Sequence, residues 1–199
     1  GIAPVDSPMA RRRSKPKPDA PSRSTESNAP PSSRTFVDRL VRPQWVAVVF
    51  TIAVLATLTP YRTGPGVTVD EYYDVFAGKR IVTAFVDDPI GFFRFRTIDE
   101  TFDPLTRHPP LGRIALGLVH RLFDQAPNDP ARVAIGAARF SPALAFGLLI
   151  LLVGLAAGAL YGRPYGTLAA FAAACVPRLF GHAHLATLDT FTALGWFAS

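Results

Sequence analysis

Apolar positions along this chain gather into four runs, the first three uncharged, separated by stretches where charge and proline return. The first, Trp45 to Pro60, lies between Arg42 and Arg62. Its sixteen residues make about 24 Å of helix, a little short of the roughly 30 Å hydrocarbon core of a bilayer, and Pro43, Gln44 and the Trp45 anchor extend it. The second, Phe140 to Tyr161, has twenty-two residues without a charge and a Gly/Ala face suited to close helix packing. Asp129 and Pro130 read as a cap and first helical position ahead of it, with Pro142 as a bend. Gly162-Arg163-Pro164 reads as a tight turn, so the third run, Tyr165 to Pro177, returns antiparallel to the second. Arg178, Gly181, His182 and His184 form a short polar loop, and the fourth run starts at Leu185 with Asp189 near its beginning. The pattern predicts spans near 44–60, 140–161, 164–180 and 185–199. The fold class is an all-α, polytopic transmembrane bundle with an outer-face helical loop after the first span.

That loop, residues 61–139, is too long for a passive connection. It opens with V-D-E-Y-Y-D at Val69 to Asp74, three carboxylates on a segment of helical pattern that runs to Val82. Phe92-Phe93-Arg94-Phe95-Arg96 then alternates aromatic and basic residues. After His108-Pro109-Pro110, apolar residues fall at Leu111, Ile114, Ala115, Leu118, Val119 and Leu122. This i, i+3, i+4, i+7 spacing predicts an amphipathic helix with Arg113, His120 and Arg121 on its polar side, lying at a membrane interface.

Charge adds an orientation. The chain carries a net +6, and residues 1–42 hold nine Lys/Arg against four Asp/Glu, whereas residues 61–139 hold ten of each. A basic tail followed by apolar runs fits the positive-inside rule better than nucleic-acid binding, so the tail is cytoplasmic and the 61–139 loop faces outward. Gly1 to Arg34 is rich in Pro, Ser, Arg and Lys and has too little apolar surface to fold, so 1–42 reads as a disordered basic tail, and 43–199 as the membrane domain. No cleavage site follows the first run as a signal peptide requires. Cys175, the single cysteine, reads as a small buried residue. A start at Gly1 rather than Met and an end at Ser199 within an apolar run lead us to expect a piece of a longer protein. No H-E-x-x-H, P-loop or Cys pair is present.

The acidic D-E pair after the first run, H-P-P-L-G entering an amphipathic helix, A-R-F-S-P-A-L entering the second run, and P-R-L-F-G-H-A-H-L-A-T-L-D before the fourth occur in order. This set, from about Trp45 to Ser199, resembles the N-terminal part of the membrane glycosyltransferases of the C-type superfamily, on the protein O-mannosyltransferase and aminoarabinose transferase side. The resemblance implies a multi-pass enzyme of the cell (inner) membrane that moves a sugar, mannose or a related hexose or pentose, from a polyprenyl-phosphate carrier. The acceptor it implies is a protein or lipid at the outer face. Asp70 matches the family's catalytic acid, with Glu71 beside it. The alternative for Asp70, and equally for Asp74, is an exposed helix cap.

Arg178, His182 and His184 suit a departing phosphate, or snorkel at a span end. Asp189, an acid in an apolar run, is a candidate by cost alone; with the Asp70 pair it would hold a divalent cation, Mg or Mn, or else orient His184. No dedicated metal ligands stand out. Arg139 matches the family's arginine at the mouth of the second span, for lipid phosphate or for headgroup anchoring. His108 is equally a site residue or a cap of a rigid turn. The competing class is a non-enzymatic membrane protein, a transporter or assembly subunit. It differs in placing Asp70, Asp189 and the Arg178 cluster in separate surroundings instead of one outward cavity.

Overall fold

The computed structural model describes residues 42–58, 66–102, 110–123 and 132–199, all within one compact unit, Arg34–Ser199. The described residues are helical and contain no strand. In chain order the helices are α1 (Pro43–Thr57), α2 (Val69–Asp87), α3 (Phe95–Phe102), α4 (Pro110–Phe123), α5 (Ile135–Ala138), α6 (Phe140–Tyr161), α7 (Arg163–Ala174), α8 (Pro177–His182) and α9 (Asp189–Ala198). A 3-10 turn, Gly91–Phe93, joins α2 to α3. The expected basic tail falls almost wholly outside the described residues, as do His108, Asp129 and Pro130.

Two apolar cores organise the unit. In one, α1, α6 and α7 pack mutually through Val54, Phe146, Ile150 and the small residues Ala143, Ala170 and Ala174, with Phe50 of α1 edge-on to Phe171 of α7. The α6–α7 turn is as tight as the Gly-Arg-Pro pattern implies: α7 begins two residues after α6 ends, and Gly162 takes φ +97°. In the other core, Val75 of α2, Leu116 of α4, Ile135 and Ala138 of α5, and Ala186 pack together.

The helix lengths correct the expected spans. Ile135–Tyr161, 27 residues including α5 and α6, is the one helix among the described residues long and apolar enough to cross a membrane. It begins earlier than the expected 140. α1 has 15 residues, ending at Thr57 where Leu58 turns extended, and the expected end at 60 lies outside the described residues. The expected 164–180 span is two helices, because Pro177 disfavours helical geometry in the residue before it, and Val176 sits extended at φ −67°, ψ 113°. α7, at 12 residues, is about 18 Å long. The fourth run is helical only from Asp189, since Ala183 to Leu188 form a loop. Cys175, at the break, is exposed rather than buried.

A further correction concerns α4. The helix forms where its periodicity places it and keeps the Leu111–Leu118–Leu122 stripe and Arg121 exposed, but two residues of its expected polar side, Arg113 and His120, are buried in the protein. Arg113 is 6 % exposed and His120 1 %, whereas Leu111 is 76 % and Leu122 78 % exposed. Gly112, Arg113, Leu116, Gly117 and His120 are its buried residues, a second stripe of helical spacing. Glycine decides this: α2 and α4 cross backbone to backbone at Gly78 and Gly117, and a Cβ on either would collide with the other helix. The inward Arg113 is then matched by Asp74 of α2 (Nε to Oδ1, 3.0 Å).

Candidate active site

The V-D-E-Y-Y-D segment is the first turn of α2. Thr68 caps it: its hydroxyl accepts from the Glu71 backbone N–H (3.3 Å), and Glu71 Oε2 accepts from the Thr68 N–H (3.0 Å). This is the capping box that T-x-x-E spells. The first turn therefore fixes Glu71 toward the protein and leaves Asp70 exposed.

Glu71 is wholly buried and lies where three distant parts of the chain meet. Arg139, in the α5–α6 junction, grips it with both ends of its guanidinium, Nε to Oε1 at 2.7 Å and Nη2 to Oε2 at 2.9 Å. The backbone N–H of Ala186, in the α8–α9 loop, donates to Oε1 at 2.8 Å. Arg139 Nη2 also donates to the Gly66 carbonyl. Four N–H groups thus occupy the roughly four lone-pair positions of the carboxylate. Burial pushes the Glu71 carboxyl up, but the hydrogen bonds from Arg139, Thr68 and Ala186 and the Arg139 charge outweigh it, and its pKa lies below the ordinary glutamate value.

Those bonds correct two expectations. Glu71 has no lone pair left to serve as a base or as a ligand for Mg or Mn. Arg139 is 2 % exposed and turned toward Glu71, so neither headgroups nor a lipid phosphate meet its guanidinium. Asp74, an expected exposed cap by the alternative reading, is buried against Arg113. The three carboxylates of one helical turn therefore have three separate surroundings, and only Asp70 is open.

The α8–α9 loop carries the remaining candidates. His182, at the end of α8, places Nδ1 2.9 Å from Asp189 Oδ2 at the start of α9, and 3.4 Å from Thr187 Oγ1. The pair closes the base of the loop. Asp189 is half-exposed at the helix start, and its partner is His182 rather than His184. His184 Nδ1 instead donates to the Phe180 carbonyl (2.8 Å), which leaves Nε2, the acceptor of a neutral ring and a donor of a protonated one, for a further partner. Arg178 is exposed on α8, four residues before His182 and so on the same face.

The structure brings His182 and Asp189 together, and the Glu71–Ala186 bond ties the start of α2 to the loop between them. Sequence reasoning missed Thr68, Asp74, Arg113 and the Ala186 N–H. The T-x-x-E pattern was available for the first; nothing local announces a backbone N–H 115 residues away. Among the described residues no group of three or more His, Cys, Asp or Glu is arranged to hold a metal. No protein-family model matches the chain, and neither a curated protein nor a solved structure matches it.

Proposed function

We propose that the chain is part of a multi-pass membrane glycosyltransferase that transfers a sugar from a polyprenyl-phosphate carrier to a protein or lipid acceptor at the outer face. What supports this reading is the exposed carboxylate of Asp70 at the start of α2, together with the exposed Arg178 of α8 and the His182–Asp189 pair after it. Asp70 accepts the proton of the acceptor hydroxyl as its oxygen attacks the anomeric carbon. The bond from that carbon to the phosphate oxygen breaks, and the lipid phosphate leaves with the electron pair toward Arg178 and His184. The displacement inverts the anomeric centre. A positioned base contributes about 10²- to 10⁴-fold to such a step, and cationic donors stabilise the departing charge.

A membrane location is supported by the outward side chains as well as by Ile135–Tyr161. Val49, Ile52, Leu160 and Leu168 are each about 60 % exposed or more, on the α1–α6–α7 layer, and Leu111, Leu118 and Leu122 of α4 also face out. Such a surface suits lipid and is costly in water. The polytopic arrangement, with α1 and the α6–α7 hairpin in the bilayer, belongs to the same proposal.

One observation favours the competing reading of a transporter or assembly subunit: Glu71 and Asp74 are both consumed in buried ion pairs, as in a purely architectural acidic cluster. The test is sugar transfer from radiolabelled polyprenyl-phosphate mannose by membranes containing the full-length protein. Asp70→Asn is expected to lower transfer at least a hundredfold at equal protein level. Unchanged transfer removes Asp70 from the chemistry, and a wild type that transfers nothing favours the non-enzymatic reading.

A further inference from the structure

The two residues after Glu71 do not behave as core aromatics. Tyr72 is 43 % exposed and Tyr73 58 %, although both stand on a helix whose other face is fully packed. Their rings are nevertheless ordered by one another. Tyr72 stacks on Phe76 with centroids 6.2 Å apart and planes 9° from parallel, and Tyr73 stands edge-on to Tyr72 at 6.1 Å and 79°. Tyr73 is three residues from Asp70, so ring and carboxylate share one face of the first two turns.

An exposed, pre-ordered aromatic corner beside an exposed carboxylate has a definite chemistry. One face of a pyranose is a patch of C–H bonds that packs on an aromatic ring, while its hydroxyls need acceptors such as a carboxylate and a phenol oxygen. We propose that Tyr73 and Asp70 form a binding site for a pyranose ring, with Tyr72, on the far side of Tyr73 from Asp70, holding the Tyr73 ring in place. The site extends the transferase reading on which it rests, and the ring it holds is either the sugar being transferred or a sugar of the acceptor. Tyrosines at a lipid interface would explain the exposure alone. They would not explain a free carboxylate on the same face, which an interface with anionic headgroups repels.

The test uses the full-length protein in nanodiscs of deuterated lipid. Saturation-transfer NMR with methyl α-mannopyranoside as the probe is expected to label the protons of one sugar face. The signal is expected to be lost in Tyr73→Ala and restored in Tyr73→Phe, which keeps the ring. In transfer assays Tyr73→Ala is expected to raise KM roughly three- to tenfold with kcat within about twofold, the size of one lost aromatic contact. A rise in KM for polyprenyl-phosphate mannose assigns the ring to the donor; a rise confined to the acceptor assigns it there. Equal saturation transfer from wild type and Tyr73→Ala overturns the site. So does absence of signal together with a blue-shifted Tyr73→Trp emission in the bilayer, which identifies a lipid anchor. Sugar binding without any transfer keeps the platform and rejects the transferase reading.

Discussion

Replacing Glu71 by glutamine tests the centre of the structure with almost no change of shape. The amide keeps the volume but substitutes an NH2 for one oxygen. Whichever way it turns, that NH2 faces two N–H donors: Arg139 Nε and Ala186 N on one side, or Arg139 Nη2 and Thr68 N on the other. Arg139, 2 % exposed, loses its ion pair with Glu71. Breaking a buried pair in this way costs about 3–5 kcal/mol, a large part of the roughly 5–15 kcal/mol that holds a typical domain together. For a chain of this size each kcal/mol moves Tm by roughly 2–4 °C, so Glu71→Gln is expected to lower Tm by on the order of 10 °C. The assay is thermal unfolding in nanodiscs, run as a cycle with Arg139→Gln and the double variant. The double variant is expected to lose much less than the sum of the singles, since the one pair that each single breaks is broken only once in it. A Tm within about 2 °C of wild type for Glu71→Gln, or strict additivity in the cycle, would refute the structural role assigned to this pair.

The same carboxyl gives stability a pH dependence. Its folded pKa lies below its unfolded value, so the contribution is fully present above the unfolded carboxylate range, near 4.3, and is lost as pH falls through the folded pKa; Glu71→Gln is expected to flatten this acid limb in unfolding measured from pH 7 downward. Gly117→Ala forces a methyl into the Gly78 backbone and is expected to destabilise by about 1–3 kcal/mol, checked by denaturant midpoint, with a neutral result contradicting the helix crossing. Cys175, exposed where α7 ends, is expected to react with a membrane-impermeant maleimide added outside intact cells, whereas labelling only after lysis would reverse the topology proposed for the hairpin.

Periodicity made the helices readable and left their facing open. The stripe from Leu111 to Leu122 announced α4 correctly. A second stripe, Gly112, Arg113, Leu116, Gly117 and His120, had the same period, and only the Gly78–Gly117 contact, made between segments far apart in sequence, chose which one turned inward. The break at Val176 was available in Pro177, yet the lack of charge from Tyr165 to Pro177 outweighed it when read as hydropathy alone. At the site, Asp70 and Glu71 were singled out as a pair, but adjacent residues on a helix point about 100° apart, and a capping box orients only the second. Hydropathy and spacing carry no information on such a division of labour; partner groups from Arg139 and Ala186 do.

The Glu71 carboxylate also imposes an order on synthesis. Its partners lie 68 and 115 residues downstream. At about 5–20 residues per second, Arg139 is added roughly 3–14 s after Glu71 and Ala186 roughly 6–23 s after it. Through that interval the first turn of α2 has only its own capping box to hold it, and the charge that will be buried stays hydrated. Full enclosure of Glu71 is thus deferred until the α8–α9 loop has been made, even where the α2–α4 crossing at Gly78 and Gly117 has already closed.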